Sequence, residues 1–469
     1  MNHIVLHTKN IFINFKTGHN RKIHMVFIPM LLSLFSCEDF VEVDPPRTEI
    51  SRVEVFESDG LANSAISGIY VDMFAGTFAS EMNRNNGLLA DDLLDYTETS
   101  DFINNSLMPM TAEVNTYWGE LYNYIYSANS IIEGLEASTK ISLDLKNQLE
   151  GESKFVRALC HFYLLNLFGD VPLIIASDFR ANNVPSRTGV SEVYDQILRD
   201  LDEAEQLLSD DFSFSGGDRA RPNKYAAIAL LARVHLYLGN WEDAELWSSM
   251  VIEASDFELV TDLNEVSLLN NNESIWQLRS TLDIGSNVRD ASFYILESAP
   301  TLVSLREELV NTFEVGDNRR TDWIGEITVD GITYYYAFKY KVRDDGTQPI
   351  TESLAMLRLA EQYLIRAEAR AQLGDFSGAQ SDINVIRNRA GLGNTTANDQ
   401  NSLLDAILNE RRLELFTEGS HRWLDLKRTG RADEILGPLK SGWQATDVLY
   451  PIPFEEININ PNLTQNPGY

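Results

Sequence analysis

Thiols are almost missing from this chain: 469 residues hold two cysteines, Cys37 and Cys160. Cys37 is taken up by the chemistry described below, and a lone Cys160 excludes an intramolecular disulfide and any cysteine-based zinc site. Its place inside a helical pattern makes it a small core residue. Histidine is scarce too. Beyond residue 36 only His161, His235 and His421 occur, none at metal-ligand spacing and none beside a Ser or Cys in a nucleophile motif. Glycine-rich phosphate loops are missing, since Gly216-Gly217 lacks the Gly-Lys-Ser/Thr of a nucleotide-binding turn. Positive charge is in deficit: 38 Lys and Arg face 70 Asp and Glu, a net charge of −32, which repels nucleic acid and anionic head groups. No apolar run approaches the ~18 residues of a membrane-spanning helix. Carboxylates alone are plentiful enough for catalysis, and a glycosidase needs two of them ~5 to 9.5 Å apart. The conspicuous pairs, Asp91-Asp92 and Asp344-Asp345, fall in loops and read as solvated turn residues, or at most calcium or hydroxyl ligands. No catalytic residue, cofactor or resident metal is expected.

Near the start, four basic residues, Lys9, Lys16, Arg21 and Lys22, precede the apolar stretch Met25 to Ser36, which gives way at Cys37 to the acidic run Glu38 to Pro46. Whether translation starts at Met1 or Met25, the stretch is too short to cross a bilayer and matches the apolar part of an export signal. Leu34-Phe35-Ser36-Cys37 resembles a bacterial lipobox, whose thiol is acylated on cleavage. Residues 1–36 are therefore expected to be a lipoprotein signal peptide, Cys37 the lipidation site and residues 37–56 an acylated tether. Cleavage removes four Lys and Arg and no acid, leaving 34 − 70 = −36. So acidic a body attaches to a membrane through acyl chains, not through a basic patch.

Two segments, Ala227 to Ile252 and Glu361 to Arg387, repeat each other 135 residues apart. Ala232 falls on Ala367, Leu238 on Leu373, Gly239 on Gly374, Trp241 on Phe376, Ala244 on Ala379 and Val251 on Ile386. This is the tetratricopeptide pattern of two helices joined by a tight Gly turn. Each unit leaves an apolar face that a neighbour must cover, and the 3.6-residue period predicts helices over 116–137, 149–168, 190–208 and 402–418. The stretches 75–115 and 256–350 lack a sustained period. Asp330-Gly331 and Asp345-Gly346 mark turns, and β-rich runs at 274–278 and 332–341 predict a small hairpin. The fold class is thus mainly α: a tetratricopeptide-like helical-repeat scaffold, about 116–255 and 352–430, with a loop-rich, small-β ligand-binding region. All of 57–469 forms one domain, ending in a strap over 444–469 that Pro451 and Pro453 hold extended across the surface.

Several motifs coincide in one order: Leu167-Phe168-Gly169-Asp170-Val171-Pro172, Arg358-Leu359-Ala360-Glu361, Arg387-Asn388-Arg389-Ala390-Gly391, Asn409-Glu410-Arg411-Arg412, Glu418-Gly419, Arg422-Trp423-Leu424-Asp425-Leu426, Tyr450-Pro451-Ile452-Pro453 and Gln465-Asn466-Pro467-Gly468-Tyr469. Over essentially its whole length the chain resembles the RagB/SusD-type outer-membrane nutrient-uptake lipoproteins of Bacteroidetes. The resemblance implies a SusD-like fold and a non-catalytic, glycan-binding lid on the outer face of the outer membrane. It also implies a SusC-like TonB-dependent transporter barrel as partner and an oligo- or polysaccharide as ligand. The acidic run after Cys37 is similar to the family's surface-export signal. The competing reading is a tetratricopeptide lipoprotein that binds peptide or protein in an uptake complex; a third is an outer-membrane hydrolase dependent on Asp91 or Asp92. Glu410, Arg411, Arg412 and Glu414 stand at (i, i+3) and (i, i+4) spacings and read as an ion-pair network on their own helix.

Sugar rings present apolar C–H faces ringed by hydroxyls, so a glycan site pairs an exposed aromatic with short polar side chains. Helical faces claim Trp118, Trp241 and Trp247, a buried-looking strand Trp276 and the motif Trp423, leaving Trp323 and Trp443. Trp323 and Arg320 are the expected ligand-binding residues of the second irregular stretch. The first supplies Arg84, Asn85, Asn86, Asp91, Tyr96 and Phe102, with Asp92 and Asp101 in the same stretch, since loops on a rigid scaffold carry function. Arg319, Arg320, Arg219 and Arg221 are candidates for a local basic patch. Tyr334, Tyr335 and Tyr336 alternate faces on a strand, so one or more projects outward.

Overall fold

The computed structural model describes residues 52–97, 100–180, 182–281, 287–343 and 349–469. The expected signal peptide, Cys37 and the pair Asp344-Asp345 lie outside the described residues. The compact body extends ahead of residue 57, because Arg52–Val55 is already helical and Phe56 is buried.

Leu143–Phe168 is the central helix. From Leu149 onward nearly every residue is buried, as happens when a helix is covered on all sides. Ala112–Ala137 and Val190–Leu207 pack along it, and Asp59–Ala75 packs against it and against Ala112–Ala137. Both repeats form helix hairpins, Lys224–Leu238 with Trp241–Ile252 and Leu359–Leu373 with Phe376–Arg389. Gly239 and Gly374 close the first helix of each in the left-handed region, at φ 73° and 85°, where a Cβ would be strained. The hairpins stack on each other through Ala232, Ala244, Ile365 and Ala369. Gln400–Leu415 then packs on Leu359–Leu373 through Ala367, Ala371, Leu403 and Ile407. His421–Arg428 follows, after a turn in which Thr417, Gly419 and Ser420 all have positive φ.

A four-stranded antiparallel sheet runs in the order Leu93–Asp95, Val303–Leu305, Ile332–Ala337, Ile324–Val329. Its last two strands are the hairpin around Asp330-Gly331. Its first pair, with Leu94 opposite Ser304, joins the two irregular stretches of the chain. Ser274–Leu278 pairs with Leu354–Arg358, which leads straight into the second repeat. Glu81–Leu89 is a helix the sequence does not announce, because its three asparagines favour turns over helix interiors.

The C-terminal strap differs from its expected course. Tyr450 to Pro453 is extended but buried in the core, not laid across the surface. Tyr450 N–H donates to the Leu167 carbonyl at 2.8 Å, and Asn466 Nδ2 donates to the carbonyls of Phe168 (2.8 Å) and Tyr450 (2.7 Å). Phe454 N–H reaches the Pro109 carbonyl at 2.8 Å, opening a short helix, Phe454–Ile459. Among the described residues no helix is long and apolar enough to cross a membrane, and no cluster of side chains is arranged to hold a metal.

Candidate functional site

A cavity of about 250 Å³ opens where Leu93–Asp95 meets Val303–Leu305. Arg84, Asn85 and Leu88 line it from the Glu81–Leu89 helix, and Asp95, Thr97, Ser100, Asp101 and Phe102 from the loop beyond. Thr111, Glu113, Leu302 and Val303 complete the wall. Arg84, Asn85 and Phe102 are thus brought together. The Arg84 guanidinium lies 4.5 Å from the centre of the Phe293 ring, and its Nε donates to Asn85 Oδ1 at 3.2 Å, so cation–π contact and hydrogen bond fix it together. Asn85 donates in turn to the Tyr117 hydroxyl at 2.6 Å. Asp101 accepts from Thr111 Oγ1 at 2.9 Å, and Asp95 accepts from the Thr97 hydroxyl at 2.9 Å. Phe102 is a floor, not a platform: it is 3% exposed, with its ring edge-on to Tyr450. One cation, three carboxylates and several hydroxyls around an apolar floor suit a ligand that both donates and accepts hydrogen bonds. Sequence reasoning missed Asp95, Thr97, Ser100, Thr111 and Glu113. The one signal is the polar-aromatic-polar order Asp95-Tyr96-Thr97, which sends 95 and 97 to one face.

Tyr96 points the other way. It is half-buried, its ring centre 6.0 Å from that of Tyr334 at 76° between planes, and its hydroxyl lies 3.1 Å from Ser304 Oγ. Tyr334 and Tyr336, two apart on one strand, share this face. Tyr336 pairs with Gly325, where a Cβ would stand 2.1 Å from its ring, so only glycine lets that ring lie over the neighbouring strand.

Four expected ligand residues are placed differently. Trp323 is fully buried; its Nε1–H donates to the Leu263 carbonyl at 2.8 Å and Lys339 Nζ stands 4.7 Å over its ring. The five-residue helix Asn318–Asp322, capped by Asp317, turns the indole inward. Asn86 is buried too, donating to Ser420 Oγ (2.8 Å) and accepting from Tyr450 OH (2.7 Å), so it pins the turn and the strap. Asp91 is gripped by Arg422 Nε (2.6 Å) and Nη2 (2.9 Å) and by Arg412, which also binds Asp92 at 2.9 Å. Burial opposes ionisation, yet the two guanidiniums hold the Asp91 carboxyl below its ordinary range, while burial pushes Asp92 up. Both carboxylates are therefore buried ion-pair partners of arginines and not solvated turn residues. Arg320 stacks 5.3 Å from the Tyr335 ring centre and faces Glu326 at 3.3 Å, away from the cavity wall.

No basic patch forms around the other arginines. Arg219 donates to the carbonyls of Ser274 and Asp256, Arg221 binds Glu152 at 2.5 Å, and Arg319 is buried against Asp317, Glu410 and Glu414. The ion pairs of the Gln400–Leu415 helix also reach outward, not along it. Glu414 meets Arg358 at 2.6 Å and Arg319 at 3.2 Å, and Arg411 meets Asp425 at 2.9 Å. His161, His235 and His421 are all buried, and burial lowers His161 to about 3 and His421 to about 4.

A family profile described as starch-binding, associating with outer membrane, matches residues 39–236, and the SusD family profile matches residues 311–469. The chain belongs to the SusD family. A SusD-like protein of Formosa agariphila is 26% identical over 97% of this chain and 100% of its own length. The starch-binding protein SusD of Bacteroides thetaiotaomicron is 28% identical over 68% of this chain and 72% of its own. Among solved structures, a laminarin-binding SusD-like protein superposes with a TM-score of 0.76 at 26% identity, covering 88% of this chain and all of that one. A SusD superfamily protein of Bacteroides vulgatus, at 20% identity and a TM-score of 0.78 over 88% of this chain and all of that one, shares the fold. The SusD-family motifs Glu410 to Arg412, Trp423 to Asp425 and Tyr450 to Pro453 hold that fold together from inside.

Proposed function

We propose that this SusD-family protein is a non-catalytic, glycan-binding lipoprotein, anchored through Cys37 at the outer-membrane surface, that delivers oligosaccharide to a TonB-dependent transporter barrel. The cavity between the two joined loop stretches carries the reading. It holds about one sugar ring, with Arg84, Asp95, Asp101 and Glu113 placed for hydroxyls and Phe102, Leu88 and Leu302 beneath a C–H face. The profile descriptions and the laminarin-binding relative support a glycan as ligand. The purified protein should bind at least one glycan on an array, and calorimetry with that glycan should show Arg84→Ala and Asp101→Asn each weakening it about tenfold or more, with unchanged melting. Binding to peptides and to no glycan would favour the competing reading. A second placement rests on the Gly325 contact, which frees the Tyr336 ring to lie over its strand beside Tyr334 and Tyr96. If the sugar stacks there, Tyr96→Ala and Tyr336→Ala weaken binding and the cavity variants do not.

A further inference from the structure

A second cavity, of about 500 Å³, lies where the C-terminal end of Leu143–Phe168 meets His421–Arg428 and the turn at Asn466-Pro467. It shares no residue with the first. Elsewhere the buried cations are mostly matched by carboxylates, as in Arg157–Asp200, Arg233–Glu361 and Arg411–Asp425. Arg428 in this cavity follows suit, bound to Glu368 at 2.6 Å and Asp425 at 2.7 Å. Arg187 and Lys427 do not. Arg187 donates to the carbonyls of Asp170 (2.6 Å), Phe168 (3.2 Å) and Thr464 (2.9 Å) and to the Asn466 side-chain oxygen (2.6 Å), all uncharged. Lys427 Nζ donates to the Asn166 carbonyl, 5.7 Å from the Trp423 ring centre. Burial alone pushes its amine down to about 7, with no carboxylate offsetting it. The one lining acid, Asp170, is exposed and accepts from Val190 N–H.

Both cations cap carbonyls at the end of Leu143–Phe168, whose dipole supplies about half a negative charge. The cavity thus sets two cations without a bonded carboxylate, Arg187 and Lys427, against one lining acid, Asp170. Tyr194 and Tyr237 stand in its wall, and the Tyr237 hydroxyl is buried without a hydrogen-bond partner. Val190, Leu449 and Pro467 add apolar wall that a bare inorganic anion leaves unused. We propose that this cavity is a second binding site for a monosaccharide carrying a carboxylate, a hexuronate, with the carboxylate on Lys427 and Arg187 and the ring against Tyr194 and Tyr237. The volume falls within the range of small-ligand pockets, and carboxylate to ammonium or guanidinium is among the stronger hydrogen bonds.

The test is calorimetry on the full-length protein in detergent with D-glucuronate, D-glucose and acetate. Glucuronate should bind about tenfold or more tightly than either control, Lys427→Gln should lose about tenfold in affinity, and Lys427→Arg should keep most of it. Glucose or acetate binding as tightly as glucuronate overturns the proposal, as does full affinity in Lys427→Gln. Loss of glucuronate binding in Arg84→Ala places the sugar in the first cavity and overturns it equally. Should Lys427→Gln fail to fold, the three-ligand comparison on the unaltered protein decides alone.

Discussion

Asp290 sits in the short helix Arg289–Tyr294 with no exposed surface, and burial pushes its carboxyl up to about 7 against opposing pulls from Ser80, Arg84 and Arg289. Its folded value lies above the unfolded one of about 3.9, so the neutral acid stabilises the fold fully below about pH 4 and that stabilisation is lost as pH rises through about 7. Asp290→Asn should therefore match wild type near pH 4 and exceed it by about 1–3 kcal/mol at pH 8, read from denaturation at both pH values. Identical curves at both would refute this. Glu361 has the opposite sign: burial opposes it, but Arg233 holds its carboxyl down to about 2. Stability from that pair is present above about pH 4.3 and falls away as pH drops towards 2. Trp323 shows what single residues hide. Its sequence neighbours, Asp317 to Asp322, are polar and read as a loop, yet Arg319, Asp317 and Trp323 are all buried. Burial there depends on Glu410 and Glu414, some ninety residues on, which no local pattern shows. Trp323→Ala should cost about 3–5 kcal/mol in urea unfolding; a cost under about 1 kcal/mol would mean the ring is not core.

Among elements, the repeats were legible because a helix hairpin writes its period, its Gly turn and its small residues within thirty or so positions. Gly374→Ala should cost about 1 kcal/mol, since φ is 85° there, whereas Gly393→Ala, with open space and no positive φ, should be neutral or slightly stabilising. Equal melting temperatures for the two would contradict the turn geometry. The sheet was legible only in its Asp330-Gly331 hairpin. Leu93–Asp95 and Val303–Leu305 are three residues each, too short for a period of two to stand out, and they pair across some two hundred residues. The cavity exists only because of that pairing. That is why Arg84, Asn85 and Phe102 were found with Asn86 and Asp91, which face the core instead.

For the whole molecule, the expected lipid anchor predicts that Cys37→Ala leaves the membrane fraction or fails to mature; unchanged membrane retention would exclude acylation as the anchor. The fold class and the order of helical blocks were readable over most of the chain, because periodicity and turn residues are local. The course of the C-terminal strap was not, because the two prolines specify an extended backbone without saying what covers it. That strap orders events in time. Tyr450 and Asn466 satisfy the end of the central helix, made some three hundred residues earlier, and Tyr450 also closes on Asn86. A chain emerging from the ribosome therefore lacks this buried strap until nearly all of it has been made, so the end of the central helix gains its last partners only when synthesis is almost over.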